Sequence, residues 1–329
     1  MNETIYEIGF AGRIRIDAHS LNNEGTVGNV TEPRTIILAS GEKTDGISGE
    51  MLKHIHAEAL WQLAKEKNAP LCNACQIISP MKADANVKIE AIGEKIKSLR
   101  AERKNQKDKG KKAEIDQQIS KELNSALNEA IGCALCDTHG FLIQEPTLSR
   151  KSTVEFGWAL ALPNKFYRDI HVHTRVAAGE KVREKGGEAE ISEQMIYNRP
   201  TRSGTYAFIS VFQPWRIGLN EIDYTYAIDD KTRKERYDLV LDAYKAMMAR
   251  LEGAMTTTRL PHFGDFEGLI IRTKNATPVP IISPLADNYA QQIETIASTP
   301  NLQKFNSFAT MLQEIDKLKT ATPYKLGAP

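Results

Sequence analysis

Ile14 and Ile16 alternate with Arg13 and Arg15 at the end of an apolar stretch over 5–16. This predicts a half-buried strand with two arginines on its polar face. Residues 18–34 carry Asn22, Asn23, Gly25, Gly28, Asn29 and Pro33, which predicts a long polar loop. A short apolar run at 35–38 and a turn-rich patch at 40–49 follow. Ser48 is a plausible N-cap for a helix running to about Glu66, with Met51, Leu52, Ile55, Ala59, Leu60 and Leu63 on one face. Lys53 and His54 fall off that stripe near the positive helix end, where anion contact competes with plain solvation. His56 reads as a surface histidine.

Isoleucines at 89, 92 and 96 with Leu99, then Ile115, Ile119, Leu123 and Leu127, mark two helical arms near 86–107 and 111–131. Asp108-Lys109-Gly110 turns the chain between them. Strand-like patterns follow at 141–143, 154–162, 170–176, 206–212 and 222–228. Between 177 and 205 the chain is polar with a central Gly186-Gly187, which predicts a long protruding hairpin. A helix over 231–251 buries Tyr237, Val240, Leu241, Tyr244, Met248 and Leu251. Patterns at 269–271 and 278–282 close the sheet, and helices near 287–297 and 302–317 end the chain. The order predicts an α+β, RRM-like (ferredoxin-like) core with large insertions and one open sheet face suited to single-stranded RNA.

Charge sharpens this picture. The 329 residues carry 43 Lys plus Arg against 42 Asp plus Glu, a net +1, which excludes a uniformly basic coat. The cations concentrate locally instead. Lys95, Lys97, Arg100, Arg103, Lys104, Lys107, Lys109, Lys111 and Lys112 face only Glu102 and Asp108 at the hairpin tip. Such a run is either a solvated face or a contact for nucleic acid or a partner. No apolar run approaches the roughly 18 residues of a membrane span. Glu3 and Glu7 do not fit a secretion signal, so a cytoplasmic protein with no membrane partner is expected.

The cysteines fall as Cys72-Asn-Ala-Cys75 and Cys133-Ala-Leu-Cys136. Paired CxxC motifs in a reducing compartment point to a structural Zn2+ held by four thiolates. A helical hairpin returns its ends to one place, so the two pairs can meet at its base. His139 could replace one cysteine, and buried free thiols are the competing reading. His171 and His173, two apart on a strand, share a face. They could bind metal or phosphate, or simply pack. No HExxH, Walker A, GxSxG or GxGxxG context occurs, and Asp17, Glu24 and Asp45 are lone loop acids, so no catalytic residue is assigned.

Several segments, in order, resemble one family. They are Gly12-Arg-Ile-Arg-Ile16, Leu21-Asn-Asn-Glu24, Val27-Gly-Asn29, Arg34, Ile47-Ser-Gly-Glu50 and Leu52-Lys-His-Ile-His56. Cys136-Asp-Thr-His-Gly-Phe-Leu142, residues 152–162, His173-Thr-Arg-Val176, Tyr206-Ala-Phe208, Ile217-Gly218, the 236–255 helix and Glu267-Gly-Leu269 continue the series. The pattern is similar to the DevR-type autoregulators of CRISPR-associated proteins, backbone subunits of type I Cascade in the RAMP superfamily. The resemblance implies an RRM-like palm, a helical insertion and a thumb hairpin. On that plan the palm occupies 1–66 and 141–286 with the thumb near 177–205. The zinc-stapled insertion occupies 67–140, and a helical tail 287–329.

The resemblance further implies copies of the chain lined along a crRNA spacer, gripping phosphate and ribose while base pairing reads target DNA, beside other Cascade subunits. Candidate RNA contacts are Arg13, Arg15, Asn22, Asn23, Gly28, Asn29, Arg34, Ser48, Lys53 and His54. Arg175, Lys181, Arg183 and Met195 are candidates in the thumb. The basic tip, Arg100, Arg103, Lys104, Lys107, Lys109, Lys111 and Lys112, is a candidate for target DNA or a neighbouring subunit. No nuclease activity is expected. The alternatives are a type III-like endoribonuclease using Asp17 or Glu24, a stand-alone RNA-binding regulator, and a zinc-stapled interaction module.

Overall fold

The computed structural model describes residues 3–28, 30–176, 194–251, 256–297 and 301–327. In chain order, β1 (Thr4–Ile5) and β2 (Glu7–His19) lead into the hairpins β3 (Asn23–Val27)–β4 (Val30–Pro33) and β5 (Thr35–Ile37)–β6 (Lys43–Ile47), then helix α1 (Gly49–Glu66). The insertion comprises α2 (Asn73–Gln76), α3 (Val87–Asn105), α4 (Lys109–Gly132), α5 (Ala134–His139) and the hairpin β7 (Phe141–Ile143)–β8 (Leu148–Arg150). Next come β9 (Val154–Phe156), β10 (Ala159–Val176), β11 (Gln194–Phe212), α6 (Asp230–Ala249) and β12 (His262–Thr273). The chain ends in α7 (Tyr289–Ile296), β13 (Leu302–Phe305), α8 (Phe308–Leu318) and β14 (Thr322–Pro323).

The central sheet runs β13-β12-β2-β11-β10-β6-β5. Its middle four strands, β12-β2-β11-β10, are antiparallel neighbours. With α1 after β2 and α6 after β11, this is the split βαβ arrangement of a ferredoxin-like core. The α+β expectation therefore holds, with the helical insertion between α1 and β10. The pairing of β10 with β11 continues to Val176↔Gln194, so the two strands leave the palm as a long ribbon.

One face of the sheet buries Ile8, Phe10 and Ile16 of β2 under α1 and α6. Phe10 packs on Tyr244 with ring centroids 4.6 Å apart, and Phe212 on Tyr237 at 5.7 Å. The opposite face is not open as expected. Val279, Tyr289 and Ile293 pack over Ala11, Leu269 and Ile271. Gly9 makes this cover possible, since a Cβ there would lie 3.0 Å from a Val279 methyl.

Three further expectations change. Residues 278–282 cover the sheet rather than extend it, because Pro278 and Pro280 have no N–H for a ladder. Residues 222–228 form a turn, with only an isolated Leu219↔Tyr226 bridge, where the Asp223 carboxylate accepts from the Thr225 backbone N–H at 3.0 Å. Residues 302–317 split into β13 and α8 because Ser307 and Thr310 form a reciprocal capping box. The predicted loop over 18–34 is mostly the β3–β4 hairpin. No helix among the described residues is long and apolar enough to cross a membrane.

Candidate nucleic-acid interface and metal centre

The start of α1 gathers several predicted residues. Ser48 caps the helix, its Oγ accepting from Met51 N at 3.3 Å. The Ser48 N–H donates to Asn22 Oδ1 at 2.5 Å, and Arg34 N donates to the Asn22 carbonyl at 3.3 Å. Asn22 takes a positive φ of 55°, which the short amide side chain tolerates. Arg34 lies 5.9 Å over the Trp158 ring and 3.3 Å from Glu24. Gly46 leaves room for that indole, since a Cβ there would fall 2.6 Å from it. Asn23 is turned inward, donating to Ser20 at 3.2 Å.

One turn into α1, Lys53 enters a groove of about 710 Å3 between the helix start and the insertion. Among the described residues no acid pairs with it. Its ammonium is held below the usual lysine range, first by burial and then by the neighbouring Lys82 charge, with the Glu155 carboxylate, beyond ion-pair distance, working against both. Lys82 shares the groove and donates to the carbonyls of His139 at 3.3 Å and Gly140 at 3.0 Å. Burial depresses it as well. Lys151, also lining the groove, pairs with Glu155. Glu50 and Asp84 are the groove's other acids, and Asp84 already accepts from the Gln144 backbone N–H. Two partly buried ammonium groups close enough to repel each other form a site that a phosphate would relieve. His54 stands outside the groove, 3.1 Å from Glu58.

The structure separates other candidates from this cluster. Arg13 lies on the covered sheet face, donating to the carbonyls of Pro284 at 2.7 Å and Ala286 at 3.2 Å and to Asp287 at 2.9 Å. Arg15 sits between Asp17 at 3.2 Å and Asp265 at 3.1 Å. Gly28 has an open left-handed backbone with φ 59°. Asn29, Lys181 and Arg183 lie outside the described residues. Arg175 and Met195 face each other in the ribbon register, and only their backbones are described. Exposed His171 is 3.8 Å from Asp169.

All four cysteines meet. Their sulfurs lie within 4.8 Å of one another, with Cys72–Cys136 at 3.9 Å and Cys75–Cys136 at 3.6 Å. Tetrahedral zinc at about 2.3 Å from each thiolate sets sulfurs about 3.8 Å apart, so the cluster is pre-shaped for a metal ion. Hydrogen bonds among the sulfurs pull Cys72 and Cys133 down and push Cys75 and Cys136 up. A bound divalent cation would instead favour four thiolates.

His139 does not replace a cysteine. Its Nε2 is 2.9 Å from His56 Nδ1, and the second His56 nitrogen meets the Val240 carbonyl at 3.2 Å. His56 is therefore a buried core residue, not a surface one. It points between α1, α5 and α6, and burial holds it at about 3.

At the hairpin tip Arg103 pairs with Asp116 at 2.9 Å, and Arg100 reaches Glu145 at 3.3 Å. Lys104, Lys107, Lys109, Lys111 and Lys112 have no ion-pair partner among the described residues. Asp108 is spent capping α4 at Lys111 N, 2.9 Å away.

The sequence also matches a protein family, the CRISPR-associated negative auto-regulators DevR/Csa2, over residues 10–294. The chain belongs to the DevR/Csa2 family. A relative from Methanocaldococcus jannaschii, the CRISPR-associated protein Cas7/Cst2/DevR, is 24% identical over 284 residues, covering 82% of this chain and 81% of the relative. Two solved structures are loosely similar. A chain of a "CRISPR RNA-guided surveillance complex, pre-nicking" shares 12% identity with a TM-score of 0.43, covering 95% of this chain and 87% of the other. A chain of a "CRISPR RNA-guided surveillance complex" shares 11% with a TM-score of 0.46, covering 96% and 98%.

Within this DevR/Csa2 chain, sequence reasoning missed Lys82 and the partners of Asp137. Lys82 lies in a turn with a φ of 48°, outside any charge run or helical stripe. Its role depends on α5, more than fifty residues away in sequence. Asp137 sits inside the Cys136–Leu142 motif, but its partners Arg150, Arg236 and Gly218 come from three separate segments.

Proposed function

We propose that the α1 groove and the β10–β11 ribbon grip the sugar–phosphate chain of a guide RNA. The chain is a non-catalytic, crRNA-binding backbone subunit of a Cascade-type CRISPR surveillance complex. The observation that carries the groove assignment is Lys53, without an acid partner among the described residues, beside Lys82 at the start of an 18-residue helix. Ammonium groups without an ion-paired acid and a positive helix end suit phosphate and carry no base specificity. Any spacer would then be accepted.

On this reading Lys53 contacts phosphate. Asn22, Asn23, Gly28, Arg34, Ser48 and His54 are further proposed contacts outside the groove lining, and Asn29, outside the described residues, is one on the sequence alone. Arg175 and Met195 act from the ribbon, and Lys181 and Arg183, outside the described residues, are proposed contacts on the sequence alone. Arg13 and Arg15 support the sheet, since their guanidinium groups are already engaged. Copies of the chain line up on one guide and present it for pairing with target DNA. The unpaired tip lysines meet target DNA or a neighbouring subunit. A structural Zn2+ at Cys72, Cys75, Cys133 and Cys136 staples the base of the helical insertion.

Coexpression with its CRISPR locus, followed by sequencing of the copurified RNA and mass measurement of the particle, tests this. Spacer-derived RNA bound by several copies of the chain is expected. A solitary chain free of RNA would overturn the reading and favour the interaction module.

A further inference from the structure

We propose that the four-cysteine cluster, when it holds a divalent metal ion, positions Lys82 as a second phosphate contact in the groove, so that metal occupancy and guide affinity are coupled. This rests on the groove being the guide-binding site.

Lys82 is held from two directions, and both lead back to cysteines. Along its own chain, tight turns join it to Cys75. The Ile78 N–H donates to the Cys75 carbonyl at 3.2 Å, Ser79 N–H to Ala74 at 3.0 Å, and Lys82 N–H to Ser79 at 3.1 Å. Little slack remains between the sulfur and the lysine. The Cys75 carbonyl is also fixed to α1, accepting from Trp61 Nε1 at 2.9 Å.

Across space, the Lys82 ammonium donates to His139 and Gly140, the residues that end α5. That six-residue helix contains Cys136 and begins just after Cys133. Gly140 fixes where its carbonyl points, because it turns with a φ of 66° and a Cβ there would fall 2.4 Å from the Arg150 carbonyl.

An ammonium has three donors. Two are spent on these carbonyls, which leaves one for a ligand in the groove. A metal held by four thiolates carries a net double negative charge. That charge lies close to the Lys82 ammonium and stabilises it against burial and Lys53. Loss of the metal would unclamp the turn that carries Lys82 from the helix that anchors its side chain.

The test uses full-length, metal-loaded protein and a single-stranded oligouridylate. Lys82→Ala should keep one bound metal per chain and weaken RNA binding about tenfold. The log–log salt slope should shrink by about 0.7. If bound RNA holds Lys82 and through it the turn and α5 that carry the cysteines, RNA should slow metal release to a chromogenic chelator in the wild type and fail to do so in Lys82→Ala. Release is read from the loaded state, so the result does not require a folded metal-free chain. Unchanged RNA affinity in Lys82→Ala, or equal slowing of release in both proteins, would overturn the coupling. If Lys53→Ala also binds RNA normally, the groove assignment itself fails.

Discussion

The Asp137 cluster and the α1 groove use the same charged groups to opposite ends. At Asp137 each cation is matched to an acid, one carboxylate being shared by two guanidinium groups. Its carboxylate accepts from Arg150 and Arg236 at 2.6 Å each, and from Gly218 N–H at 3.0 Å to both oxygens. Arg150 also donates to the carbonyls of Leu219 and Arg216 at 2.6 Å, and Arg236 to Ile131 at 2.6 Å and Gly132 at 2.7 Å. This ties α5, β8, the 216–219 turn and α6 together in a buried site. In the groove, Lys53 has no acid partner among the described residues and Lys82 has only carbonyls. Matched buried charge holds the fold, whereas surplus cation at a helix start has capacity left for an anion. Asp137, Arg150, Arg236 and Lys53 all lie in or beside the segments that resemble the family, so a family motif does not by itself separate stability from binding.

The largest effect should come from breaking the matched side. Asp137→Ala leaves two buried guanidinium groups without their carboxylate and should cost about 3–5 kcal/mol in chemical denaturation. A loss under about 1 kcal/mol would mean the site admits water and the contrast with the groove is false.

Acid should come next. His19 and His56 are held at about 3 by burial, so the folded state keeps both neutral. A histidine depressed in the folded state stabilises above its unfolded value near 6.5 and loses that contribution as pH falls towards about 3. Stability should drop by about 2 kcal/mol per histidine between pH 7.5 and pH 5. His56→Gln should flatten part of that slope, and an unchanged slope would show that His56 is not the group responsible.

The groove side should respond in binding, not stability. Lys53→Ala should weaken single-stranded RNA binding about tenfold while the denaturation midpoint stays within experimental scatter. A shifted midpoint with unchanged binding would move Lys53 to the matched class. The smallest effect on the fold should come from the tip. Replacing Lys104, Lys107, Lys109 and Lys111 together with Gln should change stability by no more than about 0.5 kcal/mol per site and leave guide binding intact. Capture of target DNA or of a neighbouring subunit should fall, and equal loss of guide binding would place the tip on the guide.

Features carried by local pattern were legible in the sequence. The α1 stripe, the helical hairpin and the two CxxC pairs depend on spacing within one or two turns, and the structure brings all four sulfurs together. The Ser48 cap was legible for the same reason. What stayed hidden depends on chain distant in sequence. His56 looked exposed because its partner His139 and the Val240 carbonyl come from α5 and α6. Arg13 looked free because the segment that claims it lies some 270 residues away. The sheet looked open because residues 278–293 read as one more strand and a separate helix, when together they form its cover.

On the proposed reading the grip on RNA ignores sequence. Binding of two single-stranded RNAs of equal length and unrelated sequence, measured across a salt series, tests it most directly. Superimposable affinities that fall together with rising salt are predicted. A strong preference for one sequence, or binding indifferent to salt, would contradict it.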